Sequence, residues 1–165
     1  MDVIGKSTVS APIFIMGKIS LIGSALFFVL KWFKDIPLLI ESRWMTTTGD
    51  ILVTAGAVVL VVSIIQLGKS IAVGLPENAT ELKTHGLYRY TRNPIYVGAF
   101  FCCLGSLLIA LHPVNLILFA VGLAVHLRIV RNEEVFLAKR FGRRWEDYAA
   151  AVPRYFGLRR RRSSV

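Results

Sequence analysis

Four apolar runs, Ala11 to Phe33, Ile51 to Leu75, Ile95 to His112 and Val114 to Val130, constrain this chain more than any other feature in it. Each approaches the roughly 20 residues a helix needs to cross about 30 Å of hydrocarbon, where an unpaired backbone finds no water. The expected fold is all-α: an integral membrane helical bundle of about four transmembrane helices plus a C-terminal amphipathic helix. At 165 residues, 55% hydrophobic and with mean hydropathy +0.59, the chain reads as a single membrane domain, residues 1–165.

Lys31-Trp32-Phe33-Lys34 follows the first run without a convincing small-residue cleavage site before it, which argues against a removable signal peptide. Lys18 interrupts that run and reads as an anchor that snorkels to headgroups. Only His112-Pro113 separates the last two runs, so they form an antiparallel hairpin with the proline opening its second arm. Residues 11–75 make an N-terminal two-helix part, 80–157 a core with the hairpin and the amphipathic helix, and 158–165 a basic tail.

The net charge is +10. With four spans, the N-terminus, the Pro76–Glu81 loop and the C-terminal tail share a side that gathers Lys6, Lys69, Lys83, Arg89, Arg92 and the basic residues from Arg128 to Arg162. The positive-inside rule places that side, with both termini, in the cytoplasm. The basic residues flank membrane spans and form no nucleic-acid module, so the partner they suggest is an anionic membrane surface. Arg159-Arg160-Arg161-Arg162 suits that role or that of a solvated topology anchor. Cys102 and Cys103 read as small core residues, no Cys/His cluster has metal-ligand spacing, and no phosphate-binding glycine loop appears.

Two charged clusters border the last two spans, and adjacent helices would bring them together. The first, His85 to Gly98, crowds aromatic and basic residues against the start of span three. There Asn93 is placed to cap free amides, Pro94 to open the helix, and Gly98 to let a ligand or another helix approach closely. The second cluster, Arg128, Arg131, Glu133 and Glu134, closes span four. Beyond it, Glu134, Leu137, Phe141, Trp145, Tyr148 and Val152 share one helical face, opposite Lys139, Arg140, Arg143, Arg144, Glu146 and Asp147. Glu134 on the apolar face needs a cation, either Arg131 one turn back or a ligand.

The ordered set Gly86-x-Tyr88-x-x-x-Arg92-Asn93-Pro94-x-Tyr96-x-Gly98, then Glu133-Glu134, Phe141-Gly142, Tyr148 and Val152-Pro153-Arg154, resembles the isoprenylcysteine carboxyl methyltransferase and phospholipid methyltransferase superfamily of membrane proteins. It departs at Asn93, where that family often has histidine, which removes a titratable group. The resemblance implies S-adenosylmethionine as cofactor and an acceptor that is a membrane lipid or a prenylated small molecule. It implies cofactor contacts from His85, Gly86, Tyr88, Arg92, Asn93, Pro94, Tyr96, Gly98, Glu133 and Glu134. Arg128 and Arg131 would orient an acceptor carboxylate, and Arg131 and Glu133 are the catalytic candidates. The tyrosines equally suit an interfacial aromatic belt. The alternatives are an NADPH-dependent reductase of steroid-reductase-like architecture, against which Ala99 stands where an acidic residue is usual, and a non-enzymatic lipid-binding scaffold.

Overall fold

The structure, a computed structural model, describes residues 10–68 and 81–157. Most of the Pro76–Glu81 loop and the whole basic tail lie outside the described residues. Helices α1 (Ala11–Phe33), α2 (Arg43–Leu67), α3 (Pro94–Ile109), α4 (Pro113–Phe141) and α5 (Arg143–Ala151) are joined by irregular segments, with a 3₁₀ turn at Gly86–Arg89 before α3. No strand occurs among the described residues.

Helices α1, α2 and α4 are long and apolar enough to cross a membrane, while α3, also apolar, has 16 residues. At 1.5 Å per residue α3, the third expected span, reaches about 24 Å, short of about 30 Å of hydrocarbon. The 29 residues of α4 reach about 43 Å, so the apolar run, the Glu133-Glu134 pair and the turns beyond them form one continuous rod. Gly142, with φ of 50°, ends that rod and starts α5. The apolar face expected beyond Glu134 is thus split between the end of α4 and α5. It still converges, because Trp145, Tyr148 and Val152 are buried against Leu82, Leu137 and Phe141.

The start of α2 lies eight residues before its apolar run, at Arg43. Thr46 Oγ1 donates to the Ser42 carbonyl at 3.2 Å and Thr54 Oγ1 to the Asp50 carbonyl at 2.8 Å. Back-bonding to the preceding turn leaves these hydroxyls satisfied within the helix.

Packing places α2 on α3, and α1 on both α3 and α4. The expected hairpin of α3 and α4 is antiparallel, with Tyr96 at the start of α3 bonded to Glu133 late in α4 and Asn115 at the start of α4 bonded to the Ala110 carbonyl, and α1 packs against both arms. Glycines allow the close approaches. A Cβ on Gly98 would lie 2.7 Å from Leu60 N, and one on Gly122 would lie 3.1 Å from Leu21 N. Hydroxyls and amides register the layers: Ser24 Oγ donates to Asn115 Oδ1 at 2.9 Å, and Phe28 N donates to Ser106 Oγ at 3.0 Å. At one end of the bundle the start of α1, the end of α2, the start of α3 and the end of α4 come together. Both charged clusters sit there.

Candidate functional site

The two clusters meet through Glu134. Its Oε1 accepts from Arg92 Nε at 3.1 Å and from Asn93 Nδ2 at 3.2 Å. Its Oε2 accepts from Arg92 Nη2 at 3.3 Å, Arg154 Nε at 2.8 Å and Arg154 Nη2 at 2.7 Å. Arg131, one of the two alternatives open for it in the sequence, is exposed and is not among them. Helical spacing puts Arg131 beside Glu134, but tertiary packing delivers two guanidiniums that chelate the carboxylate from other segments, a better match for a buried acid.

Arg92 goes further, donating Nη1 to the Ala149 carbonyl at 2.7 Å and its backbone N to the Pro153 carbonyl at 3.0 Å. Thr91 Oγ1 and Asn93 Nδ2 both reach the Arg154 carbonyl, at 3.0 and 3.1 Å. The result is a clasp that ties the start of α3 to α4 and to the segment after α5. Asn93 stands at the N-cap position of α3, yet its side chain makes no capping bond. The clasp has taken its amide instead. Beside the clasp, the Glu134 carboxylate holds the Arg154 guanidinium above its ordinary value.

Glu133 has a different setting. Its Oε1 accepts from Tyr96 Oη at 2.9 Å, joining α4 to the first turn of α3. The Tyr96 ring lies 5.8 Å from that of His126 and 6.4 Å from that of Phe100, with Lys18 Nζ 5.9 Å from its centre. Lys18, expected as a headgroup anchor, is thus half-buried against the site. His126 is 0% exposed, and its Nδ1 lies 2.8 Å from the Gly122 carbonyl. That contact assigns the proton to Nδ1 and leaves Nε2 an acceptor. Among the described residues, His126 Nε2 and Tyr155 Oη are the buried side-chain polar atoms without a partner. Both flank this region, since the Tyr155 ring packs 6.2 Å from Phe100.

The remaining sequence-derived candidates lie apart. His85 is exposed beside the 3₁₀ turn, and Gly86, at φ 62°, faces Gln66 so closely that a side chain would collide with it. Gln66 Oε1 accepts from Leu87 N at 2.7 Å, which fixes the turn against the end of α2. Tyr88 is buried, and its carbonyl accepts from Tyr148 Oη at 2.7 Å. Burial pushes the Tyr88 hydroxyl up to about 12 and that of Tyr148 up as well. Pro94 is buried in the first turn of α3, and Gly98 faces α2. Arg128 and Arg131 are exposed on α4, the latter within electrostatic reach of Tyr155.

Reasoning from sequence missed Lys18, His126 and Tyr155, and gave Arg154 no role beyond its motif. A lone histidine in an apolar run was a signal available for His126. Nothing local marks Arg154 as the partner of a glutamate 20 residues away.

The model of the phospholipid methyltransferase family matches residues 44–144. Over 131 residues the chain is 30% identical to protein-S-isoprenylcysteine O-methyltransferase A of Arabidopsis thaliana, covering 75% of this chain and 66% of that protein. Over 121 residues it is 26% identical to the protein-S-isoprenylcysteine O-methyltransferase of Mus musculus, covering 71% of this chain and 43% of that protein. With that of Schizosaccharomyces pombe it shares 36% identity over 73 residues, 44% of this chain and 31% of that protein. The chain thus spans less than two thirds of the length of these curated relatives. The match to the family model covers α2, α3, the clasp residues Arg92, Asn93 and Glu134, and the Tyr96–Glu133 pair. The chain belongs to the phospholipid methyltransferase family.

Proposed function

We propose that this chain is an S-adenosylmethionine-dependent methyltransferase, acting at the cytoplasmic membrane face on a lipophilic acceptor such as a prenylcysteine-like carboxylate or a lipid amine. The observation that carries the reading is the Tyr96–Glu133 pair, flanked by two buried polar atoms without partners, in a member of this family. When bound, the cofactor supplies an electrophilic methyl group on a sulfonium sulfur.

The residues present suit such a group. Glu133 offers a carboxylate for an ammonium, and the rings of Tyr96, Phe100 and Tyr155 offer apolar walls. Glu134, already held by Arg92 and Arg154, is assigned to the clasp and Glu133 to the ligand. Methyl transfer asks chiefly for alignment and a water-poor setting, which packed helices give. In this reading the exposed Arg128 and Arg131 of α4 draw an acidic acceptor toward the site, and Glu133 takes the proton of an amine acceptor. The basic residues gathered at the site's end of the bundle support its cytoplasmic placement, and the basic tail suits an anionic membrane surface.

Calorimetric titration of the detergent-purified protein with S-adenosylmethionine, S-adenosylhomocysteine and NADPH tests this reading. Saturable binding of the adenosyl compounds, weakened in Glu133→Gln and Tyr96→Phe, is the expected result. Binding of NADPH alone would move the chain to the reductase alternative. Binding of none, with acceptor lipid present, would leave the scaffold.

A further inference from the structure

Lys18 comes to the site from α1, outside the segment that matches the family. Its Nζ lies 5.4 Å from the centre of the Phe14 ring and 5.9 Å from that of Tyr96. Among the described residues no carboxylate oxygen lies within the 4.0 Å of an ion pair with it. Ring faces attract an ammonium but accept its three N–H groups poorly. A half-buried cation on a membrane helix lacks one thing, an anion.

Glu133 does not supply that anion by contact. It is within electrostatic reach of Lys18, yet its Oε1 is engaged by Tyr96 Oη at 2.9 Å. The Tyr155 hydroxyl, buried without a partner and within reach of both Tyr96 and Glu133, is a second unused donor. The local charge points the same way. Lys18, Arg92, Arg131 and Arg154 outnumber Glu133 and Glu134 by two positive charges. S-adenosylmethionine, a zwitterion with a sulfonium, adds another. A protonated amine acceptor would raise the excess further, and a carboxylate lowers it.

We infer that Lys18 is the specificity-determining residue for the methyl acceptor: its ammonium, itself over the Tyr96 ring, holds the carboxylate of an anionic, lipophilic acceptor and disfavours amines. The inference rests on the methyltransferase reading. In the step it serves, a carboxylate oxygen forms a bond to the methyl carbon as the carbon–sulfur bond breaks and its electron pair stays on sulfur. A neutral ester and a neutral thioether result, and no proton moves. Esterification removes the charge that Lys18 holds, so the same contact that selects the acid releases the product.

The test measures direct binding of N-acetyl-S-farnesylcysteine, whose only charge is its carboxylate, and of its methyl ester, to the full chain in nanodiscs without cofactor. The expected preference for acid over ester is about tenfold or more, the scale of one charge-assisted contact. In Lys18→Met it falls to about twofold or less, while ester affinity and S-adenosylhomocysteine affinity stay unchanged. Lys18→Arg, which keeps the charge, retains the preference. Loss of a charge favours membrane insertion, so Lys18→Met is expected to fold, and its melting temperature is recorded alongside. A wild-type protein indifferent to acid or ester, or a Lys18→Met protein that keeps the preference, overturns the inference. So does a Lys18→Met protein that loses S-adenosylhomocysteine affinity, because Lys18 then belongs to the cofactor. A Lys18-dependent acid preference in a protein that binds no adenosyl compound would leave the anion site standing and remove the methyltransferase reading.

Discussion

Glu134 and Glu133 stand side by side on α4, yet the first takes two guanidiniums and an amide whereas the second takes the Tyr96 hydroxyl. Around Glu134 the donors and acceptors of Arg92, Asn93 and Thr91 find partners inside the chain. Around Glu133, among the described residues, a lysine has no ion pair and two buried polar atoms have no partner. A saturated network has little left to offer a ligand and stabilises the fold. An unsaturated one costs stability that a ligand can return. Adjacent residues of one type can therefore divide structure from function.

The largest expected effect breaks the clasp. Glu134→Gln leaves Arg92 and Arg154 facing an uncharged amide, and removal of one partner from a buried ion pair costs about 3 to 5 kcal/mol. A melting temperature in detergent that stays within a degree or two of wild type would contradict the structural assignment of Glu134. Next is Gly98→Ala, whose new methyl would stand 2.7 Å from Leu60 N and force α2 from α3 at about 1 to 3 kcal/mol, read by the same melts. Tyr148→Phe removes the bond to the Tyr88 carbonyl and is expected to cost about 1 kcal/mol. It leaves the Glu133 side of the site alone, so an altered adenosyl affinity would blur the division.

Alkaline pH adds a smaller test of the clasp side. The Tyr88 hydroxyl sits at about 12 against an ordinary 10.0, so the folded state holds its proton more tightly than the unfolded one. Its contribution is whole below pH 10 and is lost as pH rises toward 12. Unfolding monitored across that window should show stability falling as pH rises. The smallest stability change belongs to Glu133→Gln, expected within about 0.5 kcal/mol of wild type, with adenosyl affinity reduced about tenfold. The reverse pattern, lost stability with intact affinity, would exchange the roles of the two glutamates.

Much of this was legible in the chain itself. Unbroken apolar runs and the Pro94 and Pro113 start signals located α1, α3 and α4 to within a few residues at one or both ends. The ordered motif from Gly86 to Arg154 pointed to the family that residues 44–144 match. Less legible were α2's early start at Arg43, in a polar stretch, and the break at Gly142, which interrupts an apolar face that periodicity drew as continuous. Arg131, one of the two partners left open for Glu134, is not the one it takes, because helical spacing names only neighbours on the same helix. The partners of Glu134 arrive from 42 residues before it and 20 after it.

By itself, then, the sequence determined that the chain is helical and membrane-sized, and that aromatic, basic and acidic groups collect at the ends of its last long helices. Backbone satisfaction in hydrocarbon and the period of a helix are local rules, which a linear string obeys. The tertiary structure alone decided that α1 packs against both α3 and α4, that Arg154 closes on Glu134, and that Lys18 stands over Tyr96. Those outcomes depend on which surfaces fit when rods of similar hydrophobicity pack, a matter of shape and of long-range charge pairing that no local pattern encodes.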